Sequence, residues 1–260
     1  MKEKIPVLYT CRLRLGPIRQ QDEATMLDIF LNGDVRKTYM IPEFDSREAA
    51  LPLFHRFRSL SAYGSHTVYG IFLRDQLIGF LNDVCREQDS IEMGYVIHPD
   101  FWNHGYATEA FSLVTQTLFA RGYTLVKAGA FAENTASMRV MEKCGMTPTG
   151  AEEEISYGGI LRRCICYELR SDSPAAKAQA IRRVQWMEQC FDLLQTTVDI
   201  SVSAQGAPWF QSLLRIVTHY YEDGLWLWDY ERDAQGYFPQ DLKRGILSQD
   251  GFYNFLTDLR

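Results

Sequence analysis

Between Ile97 and Ala110 the chain reads Ile-His-Pro-Asp-Phe-Trp-Asn-His-Gly-Tyr-Ala-Thr-Glu-Ala. A strand-like run ends there, a turn follows, and a helix-period segment begins at Gly105, with Ala107 two residues on. Small residues at those positions let the backbone approach a bound group closely. The first N–H groups of a helix have no intrahelical acceptor, and the helix dipole adds partial positive charge, so the arrangement suits a phosphate. A Gly-x-Ala triplet by itself is ordinary packing. Its place between a strand and a long helix makes it a candidate phosphate loop.

Other residue types that could do chemistry are less organised. The six cysteines are Cys11, Cys85, Cys144, Cys164, Cys166 and Cys190, and none forms a C-x-x-C pair. Cys164 and Cys166 share one face of a strand, and Cys144 sits in a helix without a patterned His or Asp partner, so it reads as core. Reduced thiols in a cytoplasmic protein are the expectation. The N-terminus, Met1 to Pro6, is charged and lacks the apolar core of a signal peptide, and no run approaches the ~20 apolar residues that span a membrane. Asp229, Glu231 and Asp233 could suggest a metal, but the calcium-loop spacing is missing and they read as solvated or salt-bridging acids. No metal is expected. A net charge of -6 and a pI near 5.4 oppose nucleic-acid binding and tolerate a cationic substrate.

The elements that would hold the loop follow from periodicity. Arg12 to Ile18 alternates as a strand, and a helix capped by Asp22 runs to Asn32-Gly33. A second helix follows Ser46. His66 to Leu73 and Leu77 to Val84 read as a hairpin, and Ser90 to His98 as a third strand. A long helix spans Ala107 to Arg121, Thr124 to Ala130 is a strand, and Asn134 to Cys144 is a helix stopped by Gly145. Met146 to Ile155 and Leu161 to Leu169 close the series as a strand pair. This order predicts an α/β domain with a mixed sheet over residues 1–171. Ser171-Asp-Ser-Pro174 is a linker. From Ala175 the period becomes helical through Ile181, Val184, Met187, Phe191 and Leu194, so residues 175–260 are expected to form a small all-α domain. At 260 residues the chain is long enough for two cores.

Two stretches carry a resemblance. Trp102-Asn-His-Gly105-Tyr-Ala107 resembles the Q/R-x-x-G-x-G/A pyrophosphate loop of GNAT acetyltransferases, with Trp102 in place of Gln or Arg. Asn134-Thr-Ala-Ser137-Met-Arg-Val140-Met-Glu-Lys143-Cys-Gly145-Met resembles the N-x-x-S-x-x-v-x-x-K-x-G-F helix of the ribosomal-protein-alanine N-acetyltransferase branch, with Met146 for Phe. The likeness covers roughly Arg12 to Leu169. It implies the GNAT mixed twisted sheet flanked by helices. It also implies acetyl-CoA as cosubstrate and acetyl transfer to a primary amine, a small molecule or a protein N-terminus, by direct attack in a ternary complex.

Such a reaction needs a neutral amine, a polarised thioester carbonyl and a stabilised thiolate. The resemblance assigns acetyl-CoA binding to Val96, Ile97, His98, Asn103, His104, Gly105, Tyr106, Ala107, Thr108, Asn134 and Ser137. If the strand Ser90 to His98 splays from its neighbour, its N–H groups could pair with the pantetheine and polarise the carbonyl. Glu92 is the first candidate for the base, directly or through water; it could equally be a solvated or salt-bridged strand glutamate. His98 and His104 are alternatives, read as a strand-end and a loop residue. Ser137 is the candidate for the thiolate, by hydrogen bonding, against a helix-surface serine. Asn134 would bond the pantetheine amide while capping its helix. Lys143 reads as a solvated residue. The loops Asn32 to Ser46 and Ser156 to Ile160 are expected to line the amine site.

Residues Ala175 to Arg260 resemble a small bacterial domain of unknown function through Asp229-Tyr-Glu-x-Asp233 and Leu242-Lys-Arg-Gly-x-Leu-Ser-x-Asp250. Its dense Trp and Tyr could form a core or a surface for a protein partner. The competing expectation for the whole chain is therefore a CoA-binding GNAT-fold adaptor whose helical domain mediates protein interaction.

Overall fold

The computed structural model describes residues 5–200, 202–248 and 250–259. The charged N-terminal segment read from Met1 lies outside them as far as Lys4, as do Ser201, Gln249 of the Ser248-Gln-Asp250 cap, and Arg260. Two compact units divide the chain, Met1–Ser173 and Pro174–Arg260.

The first unit is an eight-stranded sheet. In chain order its strands are β1 (Leu8–Tyr9), β2 (Leu13–Gly16), β3 (Val68–Leu73), β4 (Gln76–Arg86), β5 (Ser90–Ile97), β6 (Leu125–Phe131), β7 (Thr147–Tyr157) and β8 (Ile160–Arg170). Its helices are α1 (Glu23–Leu31), α2 (Gly33–Thr38), α3 (Arg47–Ser61), α4 (Tyr106–Ala120) and α5 (Thr135–Lys143). Spatial order is β1-β2-β3-β4-β5-β6-β8-β7, so the closing hairpin inserts β8 beside β6 and leaves β7 at the edge. Every neighbouring pair is antiparallel except β5 with β6. That exception follows from connectivity: α4 crosses from the end of β5 back to the start of β6, as a parallel pair requires.

One face of the sheet is sealed by Met26, Ile29 and Phe30 of α1 and Phe54 of α3 against Val68, Phe72, Phe80 and Val96, all buried. Against β2, β5 and β6 lies α4, which buries Ala110, Phe111, Val114 and Leu118. Their spacing of one, three and four makes the apolar stripe legible in the sequence. Ser46 caps α3 through the Ala49 N–H. Of the segment expected as a loop, Asn32 to Ser46, only Gly33–Thr38 forms a short helix, α2, and the rest stays irregular. Asn32 accepts hydrogen bonds from the N–H groups of Asp34 and Val35 and so caps α2. The Ser156 to Ile160 loop shrinks to a Gly158-Gly159 turn, because β7 and β8 stay paired out to Tyr157 and Ile160. Both glycines have left-handed backbone angles, φ +59 and +72.

The second unit contains α6 (Pro174–Ile200), α7 (Pro208–Glu222), α8 (Leu225–Ala234) and α9 (Gly251–Asp258). Val184, Met187, Phe191, Leu194, Phe210, Val217, Trp226, Ile246 and Phe252 are among its buried apolar residues. Asp229 is wholly buried. It accepts from Arg183 Nε at 2.9 Å and from the Tyr220 hydroxyl at 2.8 Å. Asp233 accepts from Arg244 Nε at 2.9 Å, while Glu231 is exposed. Asp229 is therefore a buried ion-pair member rather than a solvated acid. Glu188, also buried, accepts from the N–H groups of Gly245 and Ile246. Among the described residues no helix is long and apolar enough to cross a membrane.

Candidate active site at the fork between two strands

β5 and β6 are registered over three pairs only, Ser90↔Leu125, Ile91↔Val126 and Glu92↔Lys127. Beyond Glu92, β5 continues to Ile97 and β6 to Phe131 without being paired to each other. The parallel ladder thus opens into a fork, with Glu92 at its root. β4 bulges on the other side of the same strand, where the register shifts between Asp83 opposite Met93 and Cys85 opposite Glu92. A bulge re-aims the backbone locally, and here it falls where β5 leaves β6.

The open end of the fork meets the loop before α4. Asn103 and Gly105 both have left-handed backbone angles, φ 63 and 79. Asn tolerates that region and Gly is at ease there. Such turns direct successive N–H groups into one concavity, which favours an anion. Gly105 caps α4 without a side-chain hydrogen bond. The helix ladder starts only with Glu109 N–H to the Gly105 carbonyl. The N–H groups of Tyr106, Ala107 and Thr108 belong to the first turn, which has no intrahelical acceptors. Trp102 Nε1 donates to the Ile97 carbonyl at 2.6 Å, tying the loop to the end of β5.

His104 is exposed, stacked on Tyr106 with centroids 5.5 Å apart, and bonded through Nδ1 to the Trp102 carbonyl at 2.6 Å. His98 follows β5; its N–H donates to the Ile78 carbonyl and its Nδ1 accepts from Asp100 N–H. Both imidazoles thus serve the loop and the strand end. The Val96 side chain lies in the core and Ile97 is buried, so only their backbones face the fork. The Thr108 carbonyl accepts from Cys144 Sγ, and burial pushes that thiol up to about 12, which removes Cys144 as a nucleophile at neutral pH.

From the far side α5 reaches the fork. Asn134 caps it by accepting from Ser137 N–H at 3.0 Å, and donates through Nδ2 to the Thr38 carbonyl at 3.3 Å. The Ser137 hydroxyl lies 2.7 Å from the Tyr95 hydroxyl, which also donates to the Ser137 carbonyl at 3.0 Å. Burial raises the Tyr95 phenol above its ordinary range, so it stays a donor. Lys143 is exposed. The loop before α4, Asn134, Ser137 and β5 are therefore brought together by these contacts, with Glu92 at the root of the fork.

Glu92 is half-buried. Burial raises its carboxyl above the usual range, the charge of Glu153 on β7 raises it further, and Lys127 partly offsets both. Its Oε1 stands 4.0 Å from where a side chain on Gly129 would begin, and Cys164 Sγ stands 2.9 Å from that point. Gly129 thus keeps open the space beside Glu92. Tyr39 covers the neighbouring Gly94, its Cζ 3.1 Å from the corresponding point there, and its hydroxyl donates to Asn82 Oδ1 at 2.6 Å. Tyr157 bonds the 39–41 segment through its hydroxyl. Arg162 donates to the Lys37 carbonyl and stacks over Phe131 at 5.1 Å. The end of α2 and the β7–β8 turn are thereby stitched together on the Glu92 side. Tyr95, Tyr39 and Glu153 escape a sequence reading because only the packing of β5, the end of α2 and β7 brings them to the fork.

Comparison with known proteins bears on the fold and the family. Residues 12–147 match the acetyltransferase (GNAT) domain, and residues 184–260 match a domain of unknown function, DUF4298. The chain is 31% identical over 157 residues to the Bacillus subtilis uncharacterized N-acetyltransferase YoaA, covering 58% of this chain and 89% of that one. A GNAT-family acetyltransferase structure from Bacillus anthracis superposes with a TM-score of 0.56 at 22% identity, over 64% of this chain and 99% of the other. RimL, a ribosomal alpha-N-protein acetyltransferase in complex with coenzyme A, superposes with a TM-score of 0.53 at 16% identity, over 63% of this chain and 97% of its own. These two structures share the fold.

Proposed function

The chain belongs to the GNAT acetyltransferase family, and on that premise we propose that it moves an acetyl group from acetyl-CoA to a primary amine by direct attack in a ternary complex. The observation that carries the reading is the end of β5–β6 pairing at Glu92↔Lys127, with the open end of the fork running into the loop at Gly105. The residues present fit acetyl-CoA: two left-handed loop positions and uncapped first-turn N–H groups suit its diphosphate, and an unpaired strand edge suits its amide arm.

In the proposed reaction the amine nitrogen bonds to the thioester carbonyl carbon, the C–S bond breaks, and the sulfur departs with the electron pair. Glu92 takes the amine proton, directly or through water. Its raised pKa suits a base working near neutrality. N–H groups on the free edge of β5 polarise the carbonyl. Ser137, held by Tyr95, hydrogen-bonds the departing sulfur. Holding amine and thioester together supplies much of the rate. Glu153 beside Glu92 favours an acceptor that arrives as a cation. A protein N-terminus and a small-molecule amine both meet that description. RimL, a ribosomal alpha-N-protein acetyltransferase of the same fold, lends weight to the first.

The unit Pro174–Arg260 is proposed to be dispensable for the chemistry and to recruit a protein partner or substrate. Thiol release from acetyl-CoA across a panel of amines and N-terminal peptides tests the activity, with products identified by mass spectrometry. Failure of every acceptor to raise thiol release above hydrolysis, with CoA still bound, would favour the adaptor role instead. Residues 1–173 alone should retain turnover; an insoluble or CoA-blind fragment would refute the independence of the units.

A further inference from the structure

Acetyl-CoA carries a diphosphate, yet the loop that faces it, Trp102 to Thr108, contains neither lysine nor arginine. Its first residue offers no donor to an anion, because the Trp102 indole N–H is spent on the Ile97 carbonyl. A cation reaches the loop from elsewhere. Arg12 lies in the turn between β1 and β2, 93 positions before Gly105 (105 − 12), and nothing in its local sequence marks it.

Four observations fix its guanidinium at the start of α4. Nε donates to Glu109 Oε2 at 2.7 Å, and Nη1 donates to the His104 carbonyl at 3.0 Å. The guanidinium carbon stands 4.7 Å from the Tyr106 ring centroid, and Nη2 stands 3.7 Å from where a side chain on Gly105 would begin. Glu109 holds the same turn a second way, accepting from the Thr10 hydroxyl and from Arg12 N–H. The Arg12 side chain is nevertheless 44% exposed, so its outer edge faces solvent. A guanidinium has five N–H donors. The bonds to Glu109 and His104 use one on each of Nε, Nη1 and Nη2, which leaves two.

We propose that Arg12 is a cofactor-binding residue: the β1–β2 turn delivers its guanidinium to the rim of the phosphate loop, where the two remaining N–H groups grip the diphosphate of acetyl-CoA. The inference rests on the acetyl-CoA reading above. Glu109 neutralises part of the charge but fixes the plane of the fork, so little entropy is lost when an anion docks. A planar fork matches phosphate oxygens in pairs, which a lysine ammonium cannot do.

The test uses the full chain with Arg12→Gln and Arg12→Lys. Calorimetric titration with CoA and with 3′-dephospho-CoA is set beside turnover of acetyl-CoA and of S-acetylpantetheine, which lacks the diphosphate. Arg12→Gln should weaken CoA and dephospho-CoA alike, by roughly tenfold to a hundredfold, and flatten the salt dependence of binding. kcat/KM for S-acetylpantetheine should stay within about twofold, a value that merely bracing the fold would not preserve. Arg12→Lys keeps the charge and a bond to Glu109, so it remains folded even where Arg12→Gln does not, and it should fall between the two. Unchanged CoA affinity would overturn the proposal. So would equal loss with both acetyl donors, which makes Arg12 a brace, or loss with CoA but not with dephospho-CoA, which moves the contact to the 3′-phosphate. A wild-type chain that binds no CoA would instead remove the underlying acetyl-CoA reading, and this inference with it.

Discussion

Replacing Ser137 with alanine isolates the leaving-group half of the proposed mechanism. Ser137 Oγ lies 2.7 Å from the Tyr95 hydroxyl, which has both that oxygen and the Ser137 carbonyl, at 3.0 Å, as acceptors for its one proton. When Tyr95 gives its proton to Ser137 Oγ, the serine proton is left for the sulfur. A hydrogen bond to a neutral thioester sulfur is worth about 1 kcal/mol or less, and one to a charged thiolate about 1.5–3 kcal/mol. Only the difference, about 1–2 kcal/mol, appears in the chemical step, so kcat should fall by about fivefold to thirtyfold. Affinity for acetyl-CoA should change by no more than about threefold. Tyr95→Phe keeps the serine but loses its orienting partner, which costs about 0.5–1.5 kcal/mol, or about twofold to tenfold in kcat. The double variant should be close to Ser137→Ala alone, because Tyr95 acts through Ser137. Single-turnover thiol release, with acetyl-CoA affinity measured separately by titration, supplies both numbers. A Ser137→Ala kcat within twofold of wild type would refute the argument, as would strictly multiplicative effects in the double variant.

Three further outcomes are expected. The acid limb of kcat/KM should lie above the pH of an ordinary glutamate, since Glu92 acts in its ionised form and its pKa is raised. Glu153→Gln removes a charge that raises it, so the limb should move to lower pH; Glu92→Gln should abolish the limb, and an unchanged profile in both would remove Glu92 as base. Gly105→Glu places a side chain and a like charge at a left-handed position, φ 79, so the thermal stabilisation that CoA gives the wild type should vanish. Asp229→Ala strands the buried Arg183 charge and should destabilise the Pro174–Arg260 unit by about 3–5 kcal/mol in urea unfolding. Arg183→Met with Asp229→Leu should recover most of that, and a loss below about 1 kcal/mol in the single variant would show the pair is not sealed from water.

How the site became legible divides along the range of the interactions. Helix starts, hairpins and the glycine turn that opens α4 are written in neighbouring residues. Ser46 and Asn134 cap helices through bonds that span three positions. The Gly105 to Ala107 step stands between a strand and an amphipathic helix, and both periodicities are visible in the chain. The break after Ser171 shows as a change of period from two to near 3.6. Local sequence misled at the start of the Asn32 to Ser46 segment, expected as a loop throughout, where Asn32 caps the short helix α2.

Relations across the sheet were decided by tertiary structure alone. Periodicity names β5 and β6 as strands, but where their pairing stops is a matter of register and of the β4 bulge. That stop turns a strand glutamate into the root of a fork. Tyr95 meets Ser137 across 42 positions, Arg12 meets Glu109 across 97, and Arg183 meets Asp229 across 46. No local spacing encodes such pairs, because a side chain's partner across a sheet or bundle depends on how whole elements pack. The sequence determined which residues could do the chemistry; packing decided which of them stand together, and how far burial and neighbouring charge move the Glu92 carboxyl from its ordinary range.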